Sequence, residues 1–270
     1  MKLALAQFDI AWEDKSTNKE TAIQFIKQAA DENVDIILFP EMALTGFSMN
    51  TSFIGETNNE TIEFFKKISS QFNILIGFGY VDGTANSKNK YSVVSPCGDE
   101  LVNYTKIHPF SFGGETEFYQ SGSQINTFNA FGFTIAPLIC YDLRFPEIFQ
   151  VASKTAHLIT LAANWPIERR QHWITLLQAR AIENQCYIAG INRVGEGNGL
   201  TYSGDSMIID PLGNIISSLY MDDGLIIADI SVENVTQIRE NFNLKEDRKE
   251  GLYCTMYSDN IYPPVDSSTY

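Results

Sequence analysis

The sequence predicts an α/β protein built in layers, and two patterns lead to this class. Residues 2–8 have the pattern of a buried strand, a helical pattern follows, and residues 35–39 form a second short apolar strand. A strand, a helix and a strand in succession form a βαβ unit, in which the two strands run parallel and the helix covers one face. The second pattern is an apolar run, residues 135–139, that ends at Cys140 and is followed by Pro146, a residue favoured in the first turn of a helix. It predicts another strand that turns directly into a helix.

The remaining elements follow from the spacing of apolar residues. Thr17 and Glu20 match a capping box, so the first helix is expected from Thr17 to about Glu32. The other predicted helices cover residues 58–71, 145–153, 168–184 and 232–242. The other predicted strands cover residues 74–81, 91–95, 101–104, 156–162, 187–192, 206–210, 215–218 and 225–229. No change in composition marks a linker, which predicts a single domain over residues 1–270 with a polar tail from about residue 251.

Composition and charge limit the partners of the chain. With 44% hydrophobic residues the chain is expected to fold around a core, and with a net charge of -14 it has little of the basic surface that nucleic acids and anionic membranes need. No secretory signal and no membrane-length apolar run is visible, so a cytoplasmic protein with a small-molecule partner is expected. The four cysteines form no CxxC pair and only three histidines are present, so neither a zinc site nor another metal site is predicted.

Cys140 is the first candidate for chemistry. A nucleophile at the point where a strand turns sharply toward a helix is lifted out of the sheet, and the next backbone N–H, that of Tyr141, can face the group under attack. Taken alone, a cysteine after an apolar run is more often a core residue than a catalyst. The decision therefore depends on which polar groups end the neighbouring strands.

Two further polar groups follow predicted strands. Glu41 comes after residues 35–39 across a proline, and Lys106 follows residues 101–104. Each alone would be assigned to the solvated surface, but the ends of neighbouring strands converge in a layered α/β protein. Together with Cys140, a carboxylate can take and return the thiol proton, while the ammonium lowers the thiol pKa and stabilises an oxyanion. These roles predict acyl transfer through a thioester.

The segments around these three residues resemble the three motifs of the nitrilase superfamily of carbon–nitrogen hydrolases. They read FPEMALTGF around Glu41, YTKIHPF around Lys106 and CYDLRFPE around Cys140, in the order that the family has. Four later segments, NWP from Asn164, ARAIENQ from Ala179, NRVG from Asn192 and the stretch from Tyr202, also resemble the family, particularly its omega-amidase branch.

The resemblance implies a fold, a site and an assembly. The expected fold is a four-layer αββα sandwich, the expected triad is Glu41, Lys106 and Cys140, and the expected assembly is a homodimer or a higher homo-oligomer. A second glutamate that supports the lysine is also implied. Glu115 matches its place best, although Glu117 lies two residues away. The chemistry of the family implies neither a metal nor an organic cofactor.

The omega-amidase branch acts on the terminal amide of 2-oxo acids such as 2-oxoglutaramate and 2-oxosuccinamate. Because such substrates carry a carboxylate, an acidic protein needs a local cation to receive them. Arg144 could reach the mouth of the site, or it could instead tie the turn to Glu147 or Glu183. Arg169 and Arg170 are expected on a solvated helix face. The substrate-binding residues proposed for the pocket are Phe47, Phe112, Tyr141, Arg144, Asn164 and Trp165, with Phe110 and Tyr119 as further candidates.

Three alternatives stay open at this point. The same triad could act on deaminated glutathione, an N-carbamoyl amino acid or a nitrile. A Cys–His hydrolase with His108 as base is less favoured because the sequence offers no third group to orient the ring. The chain could also be an interaction protein that keeps the fold without the chemistry, although none of the three catalytic positions is substituted.

Overall fold

The computed structural model describes residues 1–258, which form two β-sheets with helices on their outer faces. The strands are β1 (Lys2–Gln7), β2 (Ile36–Leu38), β3 (Leu75–Asp82), β4 (Lys88–Val94), β5 (Glu100–Thr105), β6 (Phe128–Ala130), β7 (Phe133–Ile139), β8 (Leu158–Ala163), β9 (Tyr187–Asn192), β10 (Val194–Gly197), β11 (Leu200–Ile209), β12 (Ile215–Tyr220) and β13 (Gly224–Asp229). The helices are α1 (Lys15–Asp31), α2 (Thr51–Ile54), α3 (Glu60–Phe72), α4 (Pro146–Ala152), α5 (Arg170–Asn184), α6 (Val232–Asn241) and α7 (Glu250–Ser258).

Each sheet has a parallel centre with antiparallel strands beside it. The first sheet has the order β13-β1-β2-β3-β4-β5, and β1, β2 and β3 run parallel. The second has the order β10-β11-β9-β8-β7-β6, with β12 paired to β11, and β7, β8 and β9 run parallel. Leu3 of β1 lies opposite Ile36 of β2, so the predicted βαβ unit is confirmed.

The alternation of side chains along β1 shows how the layers stack. Leu3 and Leu5 join a core that contains residues of both sheets, whereas Ala4 and Ala6 join a second core with residues of α1 and α3. Successive side chains of a strand point to opposite faces, so β1 is covered by the other sheet on one side and by helices on the other. On the far side, Trp173 and other apolar residues of α5 cover the second sheet. The order helices, sheet, sheet, helices is the predicted αββα sandwich.

Several element boundaries differ from the sequence predictions. Helix α1 begins at Lys15 rather than Thr17, because the Asp14 side chain accepts hydrogen bonds from the backbone N–H and the hydroxyl of Thr17 at 3.1 and 2.7 Å. Strands β6 and β10 and helix α2, of three or four residues each, were not predicted because such short segments carry no periodicity. The tail predicted from residue 251 is helical up to Ser258, and its remaining residues, 259–270, lie outside the described part of the chain.

Over residues 1–258, none of the helices has both the length and the apolar character needed to cross a membrane.

Candidate active site

Cys140 lies in a strained turn between β7 and α4. Its φ angle is +45°, a left-handed backbone conformation that is uncommon for residues other than glycine and that clusters at functional sites. A short 3₁₀ turn, Cys140–Arg144, leads to α4, where Pro146 occupies the first turn as predicted. The turn is held by the buried Asp142, whose Oδ2 accepts hydrogen bonds from the Ile139 N–H at 3.0 Å and the Tyr104 hydroxyl at 2.7 Å.

Glu41 and Lys106 meet in the interior. The Lys106 Nζ lies 2.9 Å from Glu41 Oε1, and both side chains are almost completely buried. Glu41 can approach β3 closely because a glycine, Gly79, lies opposite it: a Cβ atom at that position would be 2.5 Å from the Met42 N and 2.7 Å from the Glu41 Cα. The structure therefore brings together two residues that lie 65 positions apart in the chain.

Of the two candidate second glutamates, Glu115 is the one that contacts the lysine. Its Oε2 and Oε1 lie 2.8 and 3.1 Å from Lys106 Nζ, and the residue is fully buried, whereas Glu117 is exposed. Glu115 also accepts a hydrogen bond from the Phe110 backbone N–H. The ammonium is thus shared between two carboxylates.

Asn89 joins the two carboxylates and was not predicted from the sequence. Its Nδ2 donates to Glu41 Oε1 at 2.7 Å and to Glu115 Oε1 at 2.9 Å. The sequence placed the strand of this region at residues 91–95, two positions beyond Asn89, whereas β4 already begins at Lys88. An asparagine near lysines gives no signal of burial, because only the pairing of β4 with β3 and β5 encloses it.

Asn164 closes the site on the side of Cys140. It follows β8, its backbone N–H donates to Glu41 Oε2 at 2.9 Å, and its Nδ2 donates to the Glu41 carbonyl at 2.6 Å. The same backbone N–H also interacts with the Cys140 sulfur and lowers the thiol pKa, although burial and Glu41 outweigh it. Asn164 is therefore a neighbour of both the carboxylate and the nucleophile.

The charges of this group alter one another's proton affinities. Burial alone would lower the pKa of Lys106, but the carboxylates of Glu115 and Glu41 hold it well above its usual range. Burial raises the pKa of Glu115, Lys106 opposes this rise, and Glu41 adds to it. Burial also raises the pKa of the Cys140 thiol well above its usual range; Glu41 adds to the rise and Lys106 opposes it. Lysine therefore acts in the predicted direction, but the thiol pKa as a whole is raised rather than depressed.

A cavity of about 150 Å³ opens above Cys140. Five of the six proposed substrate-binding residues line it, namely Phe47, Tyr141, Arg144, Asn164 and Trp165. The prediction for Phe112 is wrong: its side chain is 87% exposed, and its neighbour Phe110 lines the cavity instead. Tyr119 is buried away from the cavity and donates its hydroxyl hydrogen bond to the Ser48 carbonyl at 2.6 Å.

Two arginines lie on the cavity wall. The Arg144 guanidinium lies over the Trp165 ring at 4.9 Å and donates to His172 Nδ1 at 3.2 Å, so it is not tied to Glu147 or Glu183. Arg169 lies over the Phe110 ring at 5.4 Å, which corrects its assignment to a solvated helix face.

Two neighbouring arginines serve the scaffold instead. Arg180 is the residue that pairs with Glu183, at 2.9 Å. Arg170 pairs with Asp205 at 2.7 Å, and neither arginine lines the cavity. In this region, therefore, Arg144 and Arg169 face the cavity, whereas Arg170 and Arg180 form ion pairs outside it.

His108 is held by the turn and not by the nucleophile. Its Nδ1 lies 2.8 Å from Asp142 Oδ1, and its ring stacks on Phe145 with ring centres 3.7 Å apart. Asp142 thus supplies the orienting group that the sequence did not reveal, but the ring does not line the cavity above Cys140. This placement does not favour His108 as the base of a Cys–His hydrolase.

An αββα sandwich that presents a cysteine beside a buried glutamate–lysine pair defines a class of hydrolases that act on carbon–nitrogen bonds. The chain belongs to this family: the carbon-nitrogen hydrolase family model matches residues 2–240. The protein is accordingly an enzyme of the carbon–nitrogen hydrolase type.

Two relatives and two solved structures are similar to this chain over most of its length. The chain is 36% identical over 245 residues to omega-amidase YafV of Yersinia enterocolitica, covering 90% of this chain and 94% of the relative. It is 31% identical over 256 residues to 2-oxoglutaramate amidase of Bacillus subtilis (strain 168), covering 93% and 98%. The structure of XC1258 from Xanthomonas campestris, a CN-hydrolase superfamily protein with an arsenic adduct in its active site, matches with a TM-score of 0.86 and 29% identity over 92% of this chain and 97% of that one. An amidase from Nesterenkonia sp., 21% identical, shares the fold with a TM-score of 0.85 over 95% of this chain and 96% of that one.

Proposed function

We propose that the protein hydrolyses the terminal amide of a small 2-oxo acid, 2-oxoglutaramate or 2-oxosuccinamate, to the acid and ammonia through a thioester on Cys140. The observation that carries the proposal is the position of Cys140: its thiol is close enough to the buried Glu41–Lys106–Glu115 group to feel all three charges, and it lines a small cavity whose wall holds two arginines. The first feature supplies the chemistry, and the second selects the substrate.

Glu41 is the proposed general base and acid. Its Oε1 accepts hydrogen bonds from Lys106 and Asn89, while Oε2 accepts one N–H from Asn164 and keeps a lone pair for a proton. Because the thiol pKa is raised, Cys140 is protonated at rest and loses its proton to Glu41 as Sγ attacks the amide carbon. The tetrahedral intermediate then breaks its C–N bond, Glu41 returns the proton to nitrogen, and ammonia leaves a thioester behind.

Water completes the cycle by the same route. Glu41 accepts a proton from the water as its oxygen attacks the thioester carbon, the C–S bond breaks, and the proton returns to Sγ. Lys106 and the Tyr141 backbone N–H are proposed to stabilise the negative oxygen of both tetrahedral intermediates. Glu115 is proposed to hold Lys106 in place, because its carboxylate binds the ammonium through both oxygens.

Arg144 and Arg169 are proposed to receive the substrate carboxylate. Guanidinium groups bind carboxylates through charge-assisted hydrogen bonds, and an acidic protein needs such a local reversal of charge. Phe47 and Trp165 supply the apolar walls around the short acyl chain. The small size of the cavity, about 150 Å³, suits a short acyl chain. The names of the two relatives above agree with this substrate class.

Ammonia release tests the proposal directly. Purified protein should release ammonia from 2-oxoglutaramate and 2-oxosuccinamate faster than from deaminated glutathione, an N-carbamoyl amino acid or a nitrile, measured side by side. The Cys140→Ala variant should lose at least about 1000-fold in activity, because no other group forms the thioester. The Cys186→Ala variant is a matched control, since this cysteine is buried away from the cavity.

Different results would refute the proposed substrate and the proposed cysteine mechanism. Absence of ammonia release from both 2-oxo acid amides, with turnover of another substrate in the panel, would refute the substrate. Full activity in Cys140→Ala would refute the mechanism.

The expectations of a single domain, a homo-oligomer and a cytoplasmic location stay predictions. The cysteines Cys97, Cys140, Cys186 and Cys254 are all free, which suits a reducing compartment. Light scattering of the purified protein tests the oligomer.

A further inference from the structure

Asn164 carries a buried polar atom that the resting site leaves without a partner. The residue is 5% exposed and lines the cavity beside Cys140, yet its side-chain Oδ1 accepts no hydrogen bond in the described structure. A buried acceptor without a donor is unfavourable, so such an atom in a native site calls for an explanation.

The orientation of the Asn164 amide is fixed by chemistry. Its other terminal atom lies 2.6 Å from the Glu41 carbonyl oxygen, which can only accept a hydrogen bond. That atom must therefore be the NH₂ group, and the unpartnered atom must be the oxygen. Asn164 Oδ1 is thus an unpaired hydrogen-bond acceptor, and a ligand that binds it has to donate an N–H or an O–H.

The position of Asn164 identifies that donor. In the proposed reaction the leaving nitrogen receives its proton from Glu41, and the Asn164 backbone N–H lies 2.9 Å from the carboxylate oxygen that would carry this proton. Asn164 lines the same cavity as Cys140, whose sulfur attacks the carbon bonded to that nitrogen in the proposed reaction. A primary amide bound between the Glu41 carboxylate and the Cys140 sulfur would therefore have its NH₂ group next to Asn164.

We infer that Asn164 Oδ1 accepts a hydrogen bond from the NH₂ group of the substrate and from the departing ammonia, and that this contact makes the enzyme select primary amides over esters of the same acid. An ester oxygen has no hydrogen to offer, so an ester leaves Oδ1 unpaired during acylation. The contact orients the nitrogen lone pair toward the proton on Glu41. The inference rests on amide hydrolysis by Cys140 and not on the identity of the acyl group.

The experiment compares an amide with its ester. The acyl group that wild-type protein releases fastest as a primary amide is also offered as the methyl ester, and acid production from both is followed by titration at constant pH. In Asn164→Ala the ratio of kcat/KM for amide to kcat/KM for ester should fall about tenfold relative to wild type, the effect of one hydrogen bond in the acylation transition state. In Asn164→Asp, which restores an oxygen acceptor, the ratio should return to within about threefold of wild type even if both rates fall.

Asn89→Ala is the matched control. Asn89 also donates its NH₂ group to Glu41 but does not line the cavity, so its loss should slow amide and ester by the same factor. An unchanged amide-to-ester ratio in Asn164→Ala, or an equal fall in Asn89→Ala, would overturn the inference. Wild-type protein that hydrolyses no amide at all would instead refute the proposed function, so the two failures are distinguishable. Near-ultraviolet circular dichroism of each variant establishes that the ratio is measured on folded protein.

Discussion

The nucleophile and its base influence each other in two opposite ways. In the proposed mechanism Glu41 accepts the Cys140 proton, yet its negative charge also raises the thiol pKa and so keeps that proton on sulfur. The positive charge of Lys106 lowers the thiol pKa and so acts against this effect. The same ammonium also pairs with both Glu41 and Glu115, whose negative charges partly offset its effect on the sulfur. A protonated thiol at rest is protected from oxidants and alkylating agents, because the thiolate is the reactive form.

This balance predicts that Glu41→Gln separates reactivity from catalysis. Removing the carboxylate charge lowers the thiol pKa, so alkylation of Cys140 by iodoacetamide at about pH 8 should become roughly threefold to tenfold faster, while amide hydrolysis falls at least about 100-fold. In the wild type the alkylation rate should keep rising as the pH increases past 9, the ordinary pKa of the thiol, because burial raises the pKa of Cys140 above that value. Mass spectrometry of the Cys140 peptide distinguishes this site from the exposed Cys97 and Cys254. Slower alkylation in Glu41→Gln would contradict the charge argument.

At the level of elements, the site depends on how closely the turn after β2 approaches β3. The Gly79 N–H donates to the Pro40 carbonyl at 3.2 Å, and the Ala43 N–H donates to the Gly79 carbonyl at 3.0 Å. Met42, at the centre of the turn, has a φ of +47° and is fully buried. Strain at this residue is tolerated because backbone hydrogen bonds to β3 hold the turn on both sides.

Gly79→Ala should therefore damage both stability and activity. The added methyl group would meet backbone atoms of Met42 and Glu41, which cannot rotate away as a side chain can, so we expect a loss of about 2 kcal/mol in the free energy of unfolding. The displaced Glu41 should lower kcat by at least about tenfold. Urea denaturation and ammonia release measure the two effects. Gly251→Ala, where no atom lies within 4 Å of the added Cβ, should leave activity unchanged and should not destabilise the protein, because alanine is the better helix former in α7; equal losses at the two positions would refute the argument.

Across the whole molecule, the sequence predicted correctly those features that depend only on residues close together in the chain. The βαβ unit, the strand that ends at Cys140 and the helix that begins at Pro146 all follow from spacing and from proline geometry. Asn89 and Arg169 could not be found in this way, because each acquires its place only when segments distant in sequence come together. Phe112 and Phe110 are equally apolar in the sequence, and only the path of the loop decides that the first is exposed and the second lines the cavity.

The negative net charge of the molecule opposes the binding of an anion, so an anion-binding cavity needs positive charges of its own. With a net charge of -14, the protein would repel the proposed anionic substrate at long range, and this repulsion would weaken as salt is added. Arg144 and Arg169 reverse the sign locally, and each is held over an aromatic ring rather than paired with a carboxylate among residues 1–258. Their charges are therefore available to the ligand instead of being neutralised by the scaffold.

Replacing either cavity arginine should weaken binding of the anionic substrate without changing the chemistry. In Arg144→Gln and in Arg169→Gln we expect KM for 2-oxoglutaramate to rise about tenfold or more, because a charge-assisted hydrogen bond is lost, while kcat stays within about threefold. A neutral amide of the same length should show no change in KM. Arg170→Gln is the matched control, since Arg170 is adjacent in sequence but pairs with Asp205 outside the cavity. If both cavity variants lost kcat with KM unchanged, the arginines would act on the nucleophile or its turn, and the carboxylate would have to be received by other groups.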